Sequence, residues 1–268
     1  MSWAESLLLG LLQGLTEFLP VSSSGHLALA NMLFGLDREH GALFEIFVHL
    51  GTAMAVVTVY RRDVVALLAA SRYLLTPARW RCGWEESSTF RLGILLLLSA
   101  VPAAVVGLSL QSELEALFEN RLVVGICLAT TGAVLMATRF ITPGRRDVGI
   151  RTAVVMGVAQ AVAILPGISR SGMTISAGLA SGGDREVVGR FAFLMVLIPI
   201  LGAAVLKSGE LAEGSGAGIW AIGLGTLVSY LSGLLALVVL LRFVRRGTLY
   251  GFAPYCFVVA AVALVPVG

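Results

Sequence analysis

The sequence predicts an all-α integral membrane protein with about six transmembrane helices and two re-entrant helical hairpins. The 268 residues are 57% hydrophobic and only 13% charged, and the mean hydropathy is +0.92, well outside the range of soluble domains. Apolar stretches of about 20 residues, the length that crosses a bilayer, recur along the whole chain. The composition therefore predicts one polytopic membrane domain over residues 1–268, without a separate soluble domain.

The elements follow in order along the chain. Uninterrupted apolar stretches predict spans at about 42–60, 91–110, 122–141, 188–207, 217–242 and 250–267, and the short stretch 64–75 predicts a helix at the membrane interface. Residues 3–35 and 150–183 are also apolar, but Pro, Gly and Ser interrupt each of them near its middle. Each half is too short to cross, so these segments predict hairpins whose polar turns are shielded by protein. The alternative is one kinked spanning helix in each segment.

Loop charges predict the orientation. Basic and acidic loops alternate, and the positive-inside rule places the basic loops in the cytoplasm. Both termini and the first hairpin are then expected on the outer side, while the second hairpin opens from the cytoplasm. The arginines flank apolar runs, so the net charge of +3 predicts contact with lipid headgroups, and nucleic acid is not an expected partner. The basic loops contain Arg61, Arg62, Arg72, Arg79, Arg81 and Arg91, then Arg139, Arg145, Arg146 and Arg151, then Arg242, Arg245 and Arg246; the acidic loops contain Glu113, Glu115 and Glu119, then Glu210 and Glu213.

The two interrupted segments resemble each other. This similarity predicts two repeats, about 1–141 and about 150–268, each made of a hairpin and three spans. Because three is odd, the second repeat is inverted, and inverted repeats with broken helices place a ligand site between them. At one offset of 147 residues, Gly10, Gln13, Ser22, Ser24, Gly25 and Phe44 match Gly157, Gln160, Ser169, Ser171, Gly172 and Phe191.

Polar residues in the first hairpin are candidates for chemistry. Gln13 and Glu17 lie four residues apart on one helix face, and their oxygens suit Mg²⁺ or Ca²⁺ beside substrate phosphates. The alternative is a polar pair that hydrogen-bonds between helices. Ser22 and Ser23 lie four and three residues before His26, which is the minimal arrangement of an activated nucleophile. The alternatives are serines that cap the second half-helix and a structural histidine.

Arg170 is the strongest candidate in the second hairpin. It lies in the segment Pro-Gly-Ile-Ser-Arg-Ser-Gly-Met-Thr, residues 166–174, where Ser169, Ser171 and Thr174 supply hydroxyls. A guanidinium in a Gly/Ser turn that enters a helix matches a phosphate group. An arginine that snorkels to the interface is the alternative, but long apolar runs on both sides disfavour it. Together with Glu17 these groups are typical of phosphoryl transfer, and a site within the bilayer implies a lipid phosphate.

At these residues the chain resembles the bacterial undecaprenyl-diphosphate phosphatase family, also known as the bacitracin-resistance family. Gln13-x-x-x-Glu17 is similar to its (Glu/Gln)-x-x-x-Glu motif, and residues 166–174 match its Pro-Gly-x-Ser-Arg-Ser-x-x-Thr motif throughout. The stretch from Leu15 to His26 is similar as well, and the resemblance covers essentially the whole length. The chain carries Gln at the first motif position, which removes one negative charge and weakens the case for tight metal binding.

The resemblance implies hydrolysis of undecaprenyl diphosphate on the outer face of the bacterial cytoplasmic membrane. It implies that Arg170 binds the diphosphate, that Glu17 with Gln13 holds the divalent ion or moves a proton, and that Ser23 is the preferred nucleophile with His26 as its partner. Ser22, Ser169, Ser171 and Thr174 are expected to bind substrate. The product recycles the carrier lipid for peptidoglycan, and raised activity is expected to confer bacitracin resistance.

Two functions stay open at this point. Inverted repeats also suit a carrier or flippase for a phosphorylated polyprenyl lipid, and a fold does not settle function. A carrier needs Arg170 but has no need of an activated hydroxyl. The expected partners are the polyprenyl diphosphate and membrane lipids. The sequence leaves the oligomeric state open, and a homodimer is one possibility.

Overall fold

The computed structural model describes residues 2–34, 41–74, 80–142, 144–206 and 218–265. Within these ranges the protein consists of α-helices and short 3-10 helices, and no β-strand occurs there. The α-helices are α1 (Trp3–Phe18), α2 (Ser23–Phe34), α3 (Gly41–Val59), α4 (Arg61–Ala70), α5 (Trp80–Glu86), α6 (Ser88–Ser109), α7 (Gln111–Leu117), α8 (Arg121–Ala137), α9 (Ile150–Val162), α10 (Arg170–Ala180), α11 (Arg185–Met195), α12 (Leu197–Leu206), α13 (Ile219–Arg246) and α14 (Ala253–Leu264).

Four helical segments in the described ranges are long and apolar enough to span a membrane: Ser88–Ser109, Arg121–Phe140, Arg185–Leu206 and Ile219–Arg246. A fifth is counted if Leu43–Val59 and Arg61–Tyr73, which form a pair bent by 90°, cross together. Leu249–Leu264 is apolar but shorter, and the end of the predicted span 250–267 lies outside the described residues. The predicted all-α membrane class is confirmed, and length and composition support four or five spans where the sequence predicted about six.

Two of the long helices carry exposed apolar stripes. On α6, Leu97, Val101, Val105 and Leu108 recur at helical spacing and are each about half exposed or more. Leu227, Leu231, Leu235 and Val238 form a stripe with the same spacing on α13. Apolar faces of this extent are stable in contact with lipid chains, which confirms a multi-pass membrane protein.

Each interrupted segment consists of two short helices that pack against each other around a break. The first is α1, a break at residues 19–22, and α2; the second is α9, a break at residues 163–169, and α10. A helix rises about 1.5 Å per residue, so none of the four reaches the roughly 30 Å of a bilayer core. The contact between the two arms of each segment is what the hairpin interpretation expects.

The two hairpins are held by long helices that are distant in sequence. The arm α1 packs along α13, and the arm α9 packs along α6. Both contacts are made at a glycine: a Cβ added to Gly10 would lie 2.5 Å from the carbonyl oxygen of Gly225, and one added to Gly157 would lie 2.5 Å from that of Ser99. Only a residue without a side chain fits there. The division into two repeats stays a prediction, and these matched contacts are a feature that it would explain.

The loops predicted to set the orientation are described only in part. The arginines of the third basic loop lie at and near the end of α13, and Glu113 and Glu115 lie on α7. Arg79, Glu210 and Glu213 lie outside the described residues. Which side of the membrane each loop faces therefore stays a prediction from charge.

Candidate active site

The break of the first hairpin is a tight turn that ends in a left-handed residue. Ser22 is buried and has a φ of +69°, a backbone conformation that residues other than glycine adopt infrequently. Its hydroxyl oxygen accepts a hydrogen bond from the backbone N–H of Gly25 at 3.2 Å, so it caps the start of α2. The alternative that a serine of this cluster serves as a cap is thus correct for Ser22.

The break of the second hairpin has a cap of the same kind, and a residue of α8 also hydrogen-bonds to it. The hydroxyl of Ser169 accepts from the N–H of Gly172 at 3.2 Å, at the position that matches Ser22 in the predicted repeat. Thr131 on α8 holds the turn, because its hydroxyl donates to the carbonyl of Gly167 at 2.8 Å and accepts from the N–H of Ser169 at 3.0 Å. The first turn of α2 touches the second break: a Cβ on Gly25 would lie 2.8 Å from the Cα of Gly167.

Replacing Thr131 by valine, which has nearly the same shape, is expected to destabilise the second break. The buried carbonyl of Gly167 and N–H of Ser169 would each lose a partner, at a cost of about 1–3 kcal/mol apiece. We expect a clearly lower midpoint of thermal unfolding in detergent. The matched control is Thr130→Val, because the exposed hydroxyl of Thr130 donates only to the carbonyl of Ile126 within its own helix. Equal midpoints for the two variants would contradict this role of Thr131.

Glu17 lies where the two hairpins meet and joins the candidate residues. Its Oε1 accepts from Nη2 of Arg170 in a short ion pair, and its Oε2 accepts from the hydroxyl of Ser23 at 2.8 Å. The Glu17 side chain is 1% exposed and that of Arg170 is 22% exposed. A buried carboxylate is tolerated only with such partners, because an unpaired charge inside a protein costs several kcal/mol. The structure thus brings Glu17, Ser23 and Arg170 together from three different helices.

Gln13 and His49 complete the surroundings of Glu17. The amide Nε2 of Gln13 donates to Glu17 Oε2 and to Nδ1 of His49, both at 2.8 Å. Because an amide nitrogen only donates, Nδ1 of His49 accepts this hydrogen bond. His49 was not among the predicted site residues. Its signal in the sequence is a histidine within an apolar span, where polar side chains are rare and usually functional.

His26 is placed differently from the expectation that it assists Ser23. Its Nδ1 donates to the backbone carbonyl of Ser22 at 2.8 Å, so its Nε2 accepts from the hydroxyl of Tyr255, also at 2.8 Å. The two rings stack with an interplanar angle of 3°. A helical side chain points back toward the preceding turn, which brings His26 to Ser22 while the hydroxyl of Ser23 turns to Glu17. The catalytic role of His26 stays a prediction.

The remaining hydroxyls of the second hairpin lie at the start of α10. The hydroxyls of Ser169 and Ser171 are 3.3 Å apart, and the hydroxyl of Thr174 donates to the carbonyl of Arg170 at 2.8 Å. All three side chains are buried. They surround the base of Arg170, and their binding of substrate stays a prediction.

The residues predicted to hold a metal are too few to bind one alone, and they suit a cation that also takes ligands from the substrate. No group of three or more His, Cys, Asp or Glu side chains suited to a metal occurs in the part of the chain that the structure describes. Oε1 of Gln13, however, is buried without a hydrogen-bond partner, which leaves one oxygen ligand beside the Glu17 carboxylate. Mg²⁺ commonly binds through one or two protein oxygens, water and substrate phosphates. The donor set is compatible with that mode and with no closed protein cage.

Arg170 and His49 face a cavity of about 290 Å³ between α3 and α12. Its other lining residues are Glu45, Ile46, Pro199, Ile200, Ala203 and Ala204. A larger cavity of about 490 Å³ is lined by Gly144, Arg145, Asp184, Arg185, Glu186 and Arg245, and it includes none of the predicted site residues. The smaller cavity is therefore the approach to the candidate site.

Comparison with known proteins agrees with the motifs at this site. The sequence profile of a family described as bacitracin resistance protein BacA matches residues 6–262. The chain belongs to this family. Membership of the BacA family confirms the resemblance that the two motifs indicated, and it covers both hairpins and all the helices that form the site.

Curated relatives are similar to the chain over almost its whole length. An undecaprenyl-diphosphatase of Salinibacter ruber is 44% identical over 267 residues, which is 98% of this chain and 99% of the relative. One of Desulforapulum autotrophicum is 42% identical over 97% of both chains, and one of Bacteroides fragilis is 37% identical over 99% of this chain and 98% of the relative.

Proposed function

We propose that this BacA-family protein is a membrane phosphatase that hydrolyses undecaprenyl diphosphate to undecaprenyl phosphate and inorganic phosphate. The observation that carries the proposal is the hydrogen-bonded chain from Ser23 through Glu17 to Arg170. It joins a hydroxyl, a proton acceptor and a phosphate-binding cation at the meeting point of the hairpins. The names of the relatives supply the substrate.

Arg170 has a different partner in the resting protein and during the reaction. Its guanidinium is now paired with Glu17, and it also reaches the cavity. A diphosphate that enters the cavity offers phosphate oxygens, which pair bidentately with a guanidinium. Exchange of the carboxylate for the diphosphate then leaves Oε1 of Glu17 free. Substrate binding thus prepares the carboxylate for its next contact.

Ser23 is the proposed nucleophile and Glu17 its general base. The Ser23 hydroxyl already donates to Oε2 of Glu17 at 2.8 Å, which is the geometry for proton transfer. As Oγ bonds to the terminal phosphorus, its proton passes to Glu17, and the bond to the bridging oxygen breaks to release undecaprenyl phosphate. Water then bonds to the phosphorus of the phosphoserine, the bond from Oγ to phosphorus breaks to release inorganic phosphate, and the proton held on Glu17 returns to Oγ. Direct attack by a water held on Glu17 is the alternative for the first step.

The proposed divalent cation, Mg²⁺ or Ca²⁺, would be held by Oε1 of Gln13, a Glu17 oxygen and substrate phosphates. When bound, it neutralises phosphate charge in the bilayer. The proposed setting is the bacterial cytoplasmic membrane, with the site open to the outer side, where released carrier lipid returns to peptidoglycan synthesis and bacitracin resistance follows. A carrier has no need of the proton acceptor beside Ser23, so this hydrogen bond favours hydrolysis over the flippase alternative.

Phosphate release from undecaprenyl diphosphate by the purified protein in detergent tests the proposal. We expect steady release of phosphate. A chelator should lower the rate at least about tenfold, because a diphosphate whose charge is not neutralised binds poorly in a site that excludes water. The rate should recover when Mg²⁺ or Ca²⁺ is added back. If the chelator leaves the rate of release unchanged, the need for a divalent cation is refuted, but the phosphatase activity is not. A folded protein that releases no phosphate with any divalent cation would overturn the phosphatase, and lipid flipping in liposomes would then be measured.

A further inference from the structure

The cavity beside Arg170 has two chemically different walls. Its polar wall consists of Arg170, His49 and the exposed Glu45. Its apolar wall consists of Ile46 on α3 and of Pro199, Ile200, Ala203 and Ala204 on α12. A ligand that carries charge at one end and hydrocarbon at the other would satisfy both walls.

Most of the apolar wall is one face of α12. Pro199 and Ala203 are four residues apart, as are Ile200 and Ala204, so the four side chains lie on adjacent rows of one helix face. The helix α12 packs against α3, which supplies the opposite side. The wall therefore has the continuous shape that an extended chain requires.

A proline and two alanines on α12 shape this wall. Proline has no N–H to donate to the carbonyl four residues earlier, and the helical hydrogen-bond pattern is interrupted at Val196, shortly before Pro199. One turn later the side chains are methyl groups, at Ala203 and Ala204. Larger apolar residues on the same helix, Leu201 and Leu206, are 53% and 69% exposed and do not line the cavity. Ala203 and Ala204 thus face the cavity, whereas Leu201 and Leu206 point away from it on the exposed side of the helix.

We infer that this wall binds the first isoprene units of the substrate, next to the diphosphate on Arg170. The inference rests on the proposed phosphatase function and adds the place of the hydrocarbon chain. Ligand pockets usually measure about 300–1,000 Å³, and this cavity of about 290 Å³ is at the lower limit. It accommodates the headgroup and the beginning of the chain. The rest of a long polyprenyl chain lies in the bilayer, so the wall selects for an isoprenoid and not for its full length.

The test compares two soluble substrates, farnesyl diphosphate with three isoprene units and dimethylallyl diphosphate with one. The native protein is expected to have the higher kcat/KM for farnesyl diphosphate. Ala203→Leu and Ala204→Leu fill the wall, and each should lower the ratio of the two kcat/KM values by roughly tenfold, the usual effect of misfitted methylene groups in a pocket. Hydrolysis of dimethylallyl diphosphate should fall less, because its single isoprene unit covers only the part of the wall next to Arg170.

The matched control is Gly202→Leu. It adds the same side chain on the same turn, but a Cβ at Gly202 would meet nothing within 4 Å among the described residues, and Gly202 does not line the cavity. Its substrate ratio should equal that of the native protein. An unchanged ratio in both alanine variants, with dimethylallyl diphosphate still hydrolysed, would overturn the inference.

Photocrosslinking keeps the inference testable if an alanine variant does not fold or if the proposed phosphatase fails. A farnesyl diphosphate analogue with a diazirine on its first isoprene unit is irradiated with the native protein, and the labelled peptides are identified. Labels on α12 or α3 are expected. Labels confined to other helices would refute the chain site, whereas a native protein that is labelled on α12 but releases no phosphate would refute only the phosphatase.

Discussion

Arg170→Ala is expected to reduce phosphate release by at least about 10²–10³-fold, the usual effect of removing one group that stabilises developing charge in a water-excluded site. Arg170 is the guanidinium that reaches both the cavity and Glu17, so its loss removes the proposed contact to the diphosphate. Initial rates of release measure the effect. Full hydrolysis at an unchanged KM would refute the role of Arg170.

The controls for this variant separate catalysis from folding. Removing Arg170 leaves the buried Glu17 carboxylate without its cation, and breaking a buried pair in this way typically costs about 3–5 kcal/mol. The double variant Glu17→Gln with Arg170→Ala removes both charges and should recover thermal stability but no activity. Arg190→Ala is the matched arginine control, because Arg190 pairs with Asp63 outside the candidate site, and it should retain most of the activity.

Ser23→Ala is expected to stop turnover, because the variant removes the hydroxyl that donates to Glu17 and that we propose attacks phosphorus. Ser22→Gly should retain much of the activity. Glycine adopts the positive φ of Ser22 without strain, so that variant loses the cap on α2, usually worth a few tenths of a kcal/mol to about 1 kcal/mol, and the hydroxyl contact with Ser24.

Phosphate release by the two serine variants under saturating substrate gives the ranking. The reverse order, with Ser22→Gly inactive and Ser23→Ala active, would move the nucleophile to Ser22. Two active variants would favour direct attack by water. Thermal unfolding of both variants shows whether a lost activity reflects a lost fold.

Much of the fold and of the candidate site is predictable because lipid restricts what a sequence can do. A glutamate and an arginine inside apolar segments have few stable arrangements, so Glu17 and Arg170 stand out and are found in contact. Breaks at proline, glycine and serine likewise predict two short helices where one long helix would otherwise stand. These predictions depend on residue type and spacing, which the sequence contains.

The partners of the site residues are less predictable because they depend on side-chain direction. Spacing alone places Ser23 as near to His26 as to any other residue, but the left-handed Ser22 sets the start of α2 so that the Ser23 hydroxyl meets Glu17. Thr131 and Tyr255 each approach a hairpin from a helix distant in sequence. A single hydroxyl in an apolar helix is common, so the sequence carries no signal for either.

The packing of α1 near the start of the sequence against α13 near its end has a consequence for the order in which the protein assembles. Because α13 is the main packing partner of α1, the first hairpin lacks its principal support until the ribosome has produced residues 219–246. Until residue 170 has been made, Glu17 has no arginine to pair with, in a membrane that disfavours an unpaired charge. The polar residues that define the site are thus also the ones that most need the chain to be finished. We therefore expect the first hairpin to reach its final position only after α13 has been inserted.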